Sequence, residues 1–306
     1  KIDFHHRGFA RLGAKVTYRE DGTTILELEK PRLQGNFIYL DLPSHTGTEN
    51  LMMGAALADG ETIIENASVE PEVIDFAAFL TKMGAQIDGV GTHTMTIRGV
   101  RALHAVGHRP IPDRLVIGAL MCAVGIAGGE ITIHEVNPTH MRLVLAKLEQ
   151  MGLKFDIDTN GESVTVKRDI NKRINPINIT THPYPGFPTD IQPAMAALAT
   201  VSNGTSYIRE RIFENRYDFV EGLVALGSDI IISQNDVCIV KGVEQLHANS
   251  IRAPSIRAGA ALLIASLAAE GETTISNIYQ IDRGHECIED QLTQLGADVR
   301  RVKTEA

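Results

Sequence analysis

The strongest constraint on how this chain folds is a repeat visible in its own sequence. A Leu-Gly or Met-Gly pair closes five helix-patterned stretches, at Leu12-Gly13, Met83-Gly84, Met151-Gly152, Leu226-Gly227 and Leu295-Gly296, with glycine intervals of 71, 68, 75 and 69 residues. Each glycine is placed just past a helix end, where a left-handed backbone costs it nothing, and each precedes an alternating strand such as Ala85-Gln-Ile-Asp-Gly. A second marker, Gly60-Glu-Thr-Ile-Ile, Gly129-Glu-Ile-Thr-Ile, Gly204-Thr-Ser-Tyr-Ile and Gly271-Glu-Thr-Thr-Ile, follows a small-residue helix and opens a β-branched strand. The unit therefore reads βαβαββ. Four complete copies are expected at about 35–100, 108–167, 178–242 and 249–302, and 1–34 holds the second half of another. Helices this rich in Ala and Gly pack closely among strands, so the expected class is α/β (α+β) in compact barrels rather than an open solenoid. Residues 1–111 are expected to form a partial first domain and 112–306 most of a second, linked near 107–112.

Composition removes several function classes. The 306 residues are 43% hydrophobic and 22% charged with no tryptophan, the profile of a soluble globular protein with aliphatic cores. A net charge of −9 argues against a general nucleic-acid or anionic-membrane binder, although it leaves room for a local basic cleft. Cys122, Cys238 and Cys287 are widely spaced, and Cys122 lies in the apolar run 115–126, so buried thiols are expected rather than a disulfide. No run approaches the roughly 18 apolar residues of a membrane span, and the start lacks a signal-peptide core. A cytoplasmic location is expected. The stretch from Ile2 to Gly13 reads as a helix in mid-unit, so the chain from Lys1 onward is expected to enter partway through a structural unit.

One loop stands apart. In His182-Pro-Tyr-Pro-Gly-Phe-Pro-Thr-Asp-Ile-Gln192, three prolines fix φ and bias their predecessors toward extended backbone, so the segment should be stiff. It delivers Asp190 to a helix read over Met195–Val201, with Thr189 or Asp190 as N-cap. Whether Asp190 caps that helix or is aimed at a ligand stays open on these residues alone.

Seven strings, in order, carry a family resemblance: Gly47-Thr-Glu-Asn-Leu-Met-Met53, Glu70-Pro-Glu-Val-Ile-Asp75, Ile111-Pro-Asp-Arg114, the 183–192 loop, Phe213-Glu-Asn-Arg216, Ile256-Arg-Ala-Gly259 and Ile281-Asp-Arg-Gly284. With them the chain resembles the enolpyruvyl transferases, and within that family the branch acting on UDP-N-acetylglucosamine at the first committed step of peptidoglycan synthesis. The resemblance implies two inside-out α/β barrel domains of six units in all, of which four and a half are present here. The missing part would carry the family's Lys-Asn pair, a loop arginine and a loop cysteine. The implied reaction moves the enolpyruvyl group of phosphoenolpyruvate to the 3′-hydroxyl of the sugar nucleotide and releases phosphate. No cofactor or metal is implied; the expected partners are those two small molecules, and closure of the domains on a cleft between them is expected.

The resemblance assigns roles to residues, each with a plainer alternative. Asp190 would take the hydroxyl proton; its alternative is an N-cap contributing about 1 kcal/mol. Arg216, Arg257 and Arg283 would line the phosphoenolpyruvate site, where a guanidinium stays charged and binds oxyanions bidentately. Their alternatives are surface ion pairs, Arg216 with Glu214 and Arg283 with Asp282. Arg283 is expected to open a helix, whose N-terminus also favours an anion. Ile2, Asp3, Phe4 and His5 would hold the uridine, and Ser44, His45 and Thr46 its phosphates, although Thr46 could crowd a phosphate. The Ile212 carbonyl would hold the sugar. Glu70 and Glu72 match acids at the family's domain boundary. Ser255 departs from the family's aspartate two places before Arg257, which leaves open a neighbour such as Asp282 as substitute. It also leaves open a non-catalytic or split-enzyme paralogue. Action on shikimate 3-phosphate is the remaining alternative.

Overall fold

A computed structural model describes residues 2–234 and 236–302 of the protein; Lys1, Asn235 and 303–306 lie outside that description. It divides into two compact units, 1–111 with 183–185, and 112–182 with 186–306.

In the first unit α1 (Asp3–Arg11) leads into the antiparallel hairpin β1 (Ala14–Tyr18) and β2 (Thr24–Leu28). A complete βαβαββ set follows: β3 (Phe37–Tyr39), α2 (His45–Ala56), β4 (Glu61–Glu65), α3 (Pro71–Lys82), β5 (Gln86–Asp88) and β6 (Thr94–Arg98). Its sheet runs β3-β4-β6-β5, with β3 parallel to β4 and the other pairs antiparallel. Alternation decides the faces: in Glu61-Thr-Ile-Ile-Glu65, Thr62 and Ile64 are buried, and Ile64 joins a core with Leu51, Met52, Met95 and Ile97.

The second unit opens with α4 (Arg114–Ala127), whose Asp113 cap accepts the Leu115 and Val116 amides at 2.8 and 3.2 Å. Then come β7 (Gly129–His134), a 3-10 turn at Pro138–Met141, α5 (Arg142–Met151), β8 (Lys154–Ile157) and β9 (Ser163–Arg168), in sheet order β7-β9-β8. A second complete set is formed by β10 (Asn178–Thr180), α6 (Gln192–Ala199), β11 (Thr205–Arg209), α7 (Val220–Ala225), β12 (Asp229–Ile232) and β13 (Val237–Lys241). Its order, β10-β11-β13-β12, matches that of the set in the first unit. Last come β14 (Leu246–His247), β15 (Ser250–Arg252), α8 (Ile256–Ser266), β16 (Ala269–Glu270), β17 (Thr274–Ser276), α9 (Tyr279–Asp282) and α10 (Ile288–Gln294). Here β14 pairs with β16 and β15 with β17, both parallel.

The five helix-ending glycines all adopt positive φ, between 90° and 108°. The units also share hydrogen bonds at matching places. Gly99 donates to the Gly60 carbonyl and Gly242 to that of Gly204; the Asn66 amide side chain caps Leu40 as that of Asn277 caps Ala253. Two expected copies are incomplete among the described residues. The copy at 108–167 lacks its opening strand, because Pro110 and Pro112 offer no amide proton to a ladder. The copy at 249–302 has no closing strand pair; its Arg300 and Arg301 turn instead to Glu272 and to Asp282 and Glu289.

Small residues let the helices of the second unit lie close. Every residue of α6 is buried. A Cβ at Gly118 would come within 2.5 Å of Ile191 Cδ1, and one at Gly259 within 2.6 Å of Ile281 Cγ1. Cys122 and Cys238 are buried thiols pushed up to about 12 by desolvation, while Cys287 is exposed and free.

Candidate active site

The 182–191 loop is anchored by Phe187, which is fully buried and whose carbonyl accepts the His182 amide at 3.1 Å. Two residues before α6, the chain turns and leaves Asp190 exposed. The N-cap position belongs to Ile191, so neither Thr189 nor Asp190 caps this helix. The Thr189 hydroxyl donates instead to Glu210 Oε2 at 2.7 Å. Glu210 is only 4% exposed, and its other oxygen accepts the amides of Ile212 and Phe213 at 2.8 and 3.1 Å. One buried carboxylate thus fixes both the Asp190 turn and the backbone at Ile212.

Freed from capping, Asp190 faces two guanidinium groups. Arg216 forms a hydrogen-bonded ion pair with it, and packs over the Phe213 ring at 4.3 Å to the centroid. Arg257, in the first turn of α8, brings Nε to 3.8 Å from Asp190 Oδ1 and Nη2 to 3.6 Å from Asp218 Oδ1. Arg216 Nε and Arg257 Nη1 are buried with no acceptor. Burial, followed by the neighbouring Arg216 charge, draws Arg257 below the usual guanidinium range, partly offset by Asp218 and Asp190. Two positive groups with unspent buried donors beside a carboxylate have the chemistry to bind an oxyanion next to a proton acceptor.

Arg283 differs from expectation. It ends α9 rather than opening a helix, because Gly284 and His285 fold their amides back onto the Ile281 carbonyl at 3.1 and 2.9 Å. Its side chain is exposed and donates to Gln280 Oε1 at 3.0 Å, and Asp282 pairs with Arg301, not with it. Asp282 therefore does not stand in for the missing carboxylate at Ser255. Arg283 is not ion-paired with Asp190, but Gly284 packs against Ile256, the neighbour of Arg257. Ser255 caps α8 by accepting the Ala258 amide and donates to Asp218 Oδ2 at 2.6 Å.

The first unit gathers the other predicted residues around the starts of α1 and α2. Ile2 is the N-cap of α1; Asp3 lies 3.6 Å from Arg7, which sits over Phe4 at 5.4 Å. His5 bonds Asn50 on α2 at 2.9 Å, and a Cβ on Gly47 would meet Phe4 at 3.6 Å. Ser44 caps α2 by accepting the Gly47 amide, and Thr46 is exposed in its first turn. His45 lies 3.1 Å from Glu49 and 3.6 Å from Glu70. Burial draws His45 down, but Glu49 and Glu70 outweigh it, and the net shift is upward.

Residues 2–292 match the family model described as EPSP synthase (3-phosphoshikimate 1-carboxyvinyltransferase). The chain belongs to the enolpyruvyl transferase family. Within it, a Thermobifida fusca protein named UDP-N-acetylglucosamine 1-carboxyvinyltransferase is 45% identical over 300 residues, covering 98% of this chain and 69% of its own length. One from Symbiobacterium thermophilum, named UDP-N-acetylglucosamine 1-carboxyvinyltransferase 1, is 46% identical over 302 residues, covering 98% and 67%. Among solved structures, the enolpyruvyl transferase NikO from Streptomyces tendae superposes with TM-score 0.85 at 28% identity, covering 98% of this chain and 72% of its own. EPSP synthase from Acinetobacter baumannii, at 18% identity and TM-score 0.74, shares the fold, covering 99% and 72%. The protein is thus a transferase with the mixed α/β architecture of the enolpyruvyl transferases. Among the described residues no helix is long and apolar enough to cross a membrane.

For this enolpyruvyl transferase, the structure brings Asp190, Arg216 and Arg257 together and adds Glu210 and Asp218, which the sequence reading passed over. Glu210 had one available signal: a lone acid between Arg209 and Arg211 at the end of a β-branched strand. Asp218 had none, since its role depends on Ser255, 37 residues away.

Proposed function

We propose that the protein transfers the enolpyruvyl group of phosphoenolpyruvate to the 3′-hydroxyl of UDP-N-acetylglucosamine, the first committed step of peptidoglycan synthesis, in the cytoplasm. The observation that carries this reading is the pair of buried, unpaired donors on Arg216 and Arg257 beside the exposed carboxylate of Asp190. Asp190 accepts the hydroxyl proton as the oxygen bonds to C2, and C3 of phosphoenolpyruvate takes up a proton from solvent. The phosphate then leaves with its C–O electrons while C3 returns a proton to solvent, which restores the double bond, and the proton on Asp190 passes to the departing phosphate. Arg216 and Arg257, with the exposed Arg283 as a further charge, hold the carboxylate and phosphate, where fixed positive groups act most strongly away from bulk water.

The nucleotide is read onto Ile2, Asp3, Phe4 and His5 and onto the α2 start at Ser44, His45 and Thr46, where the positive end of a helix suits a diphosphate. The Ile212 carbonyl, fixed through Glu210, holds the sugar. Domains at 1–111, part of a first inside-out barrel, and 112–306, a second one, both built from βαβαββ copies, belong to the same reading. Its test is phosphate release from phosphoenolpyruvate, with shikimate 3-phosphate as the competing acceptor: release only with UDP-N-acetylglucosamine supports it, and preference for shikimate 3-phosphate contradicts it.

A further inference from the structure

Position 255, two residues before Arg257, offers this site a neutral hydroxyl, and the nearest negative charge is on another element. Asp218 Oδ2 accepts from Ser255 Oγ at 2.6 Å, while Oδ1 stands 3.6 Å from Arg257 Nη2. Ser255 Oγ also accepts the Ala258 amide at 3.3 Å, so its single proton is committed to Asp218. The backbone under Asp218 is pinned on both sides. Phe219 is fully buried, and the Tyr217 hydroxyl joins the Glu210 amide to the carbonyls of Ile208 and Asp236 at 3.0, 3.2 and 2.9 Å. Arg257 is therefore bracketed, its Nε toward Asp190 and its Nη2 toward Asp218, and its Nη1 is left buried and unpaired. Nε and Nη2 lie on one edge of the planar guanidinium, so the two carboxylates share that edge and Nη1 is the donor outside it.

We propose that Asp218 is a positioning residue for substrate-anion capture: anchored by Ser255, it keeps Arg257 from collapsing onto Asp190 and so keeps its free edge turned to the substrate oxyanion. The proposal rests on the reading that Arg257 meets phosphoenolpyruvate. A carboxylate at position 255 reaches the same place, because the two side-chain oxygens are already in contact, and aspartate caps a helix as well as serine does. Charge alone predicts the opposite sign: deleting an anion beside Arg257 should tighten binding of another anion.

Two variants, Asp218→Ala and the same change combined with Ser255→Asp, are compared with wild type. Steady-state kinetics and equilibrium titration with phosphoenolpyruvate alone are the readouts. The single variant should raise the KM and dissociation constant for phosphoenolpyruvate about tenfold or more with a smaller change in kcat, and leave the KM for the sugar nucleotide unchanged. The double variant should recover most of that loss, which a role confined to folding would not produce. Unchanged or tighter phosphoenolpyruvate binding in Asp218→Ala overturns the proposal, as does a double variant no better than the single one. If the alanine variant does not fold, Asp218→Asn, of equal size, carries the same expectation. Wild type that binds phosphoenolpyruvate without turnover refutes the function while the titration still decides Asp218; wild type that does neither refutes both.

Discussion

At Asp190 two plain roles compete, helix cap and proton acceptor, and the hydrogen bonds separate them. A capping carboxylate would spend itself on helix amides; this one is exposed to the solvent and held by Arg216 and Arg257. Asp190→Ala should therefore lower kcat by about 10²–10⁴-fold, the range of a lost general base, with little change in melting temperature. A melting loss with unchanged kcat would restore the capping role. Thr189 makes the converse case. Its hydroxyl is buried against Glu210, so Thr189→Val should destabilise by about 1–3 kcal/mol, measured by urea unfolding, because a buried carboxylate oxygen loses its donor. Legibility at this scale follows sequence distance. Asp190 stood out because prolines crowd its own loop, whereas the tie of Glu210 to the Asp190 turn and of Asp218 to Ser255 spans 21 and 37 residues. Arg283 was legible as a residue and not as a conformation: Asp-Arg-Gly suits either end of a helix, and the Ile281 carbonyl decides for the C-terminal end.

Among the elements, the repeat was the most readable feature, since a φ between 90° and 108° at each helix end strongly favours glycine. What periodicity could not show was which copies keep all six elements. An extended segment becomes a strand only if a ladder receives it, and the prolines before α4 prevent that. Helix packing yields a direct test at Gly259, where a Cβ would come within 2.6 Å of Ile281 Cγ1 and 3.1 Å of Ala253 Cβ. Gly259→Ala should cost about 1–3 kcal/mol by overpacking, seen as a lower melting temperature, despite alanine's better helix propensity. The α2 start supplies a pH test. With the His45 value raised above 6.5 in the fold, its pairing with Glu49 and Glu70 stabilises fully below pH 6.5 and fades as pH rises through the folded value. The melting difference between wild type and His45→Gln should be larger at about pH 5.5 than at about pH 8.5. A difference that grows with pH would contradict this pairing.

For the whole molecule, relatives 45% and 46% identical to this chain over 300 and 302 aligned residues bear the name of one enzyme, and a structure superposing at TM-score 0.85 shares its fold. Fold alone does not choose the acceptor, because a structure titled EPSP synthase is also similar. The acceptor reading rests on particular residues: a carboxylate beside two arginines with unspent donors in one unit, and the starts of α1 and of the Ser44-capped α2 in the other. The most direct measurement is phosphate release from phosphoenolpyruvate by the purified protein, with UDP-N-acetylglucosamine or shikimate 3-phosphate as acceptor and Asp190→Ala alongside. Release that requires UDP-N-acetylglucosamine and is lost in Asp190→Ala is the predicted result; release with shikimate 3-phosphate instead, or an unaffected Asp190→Ala, would contradict it.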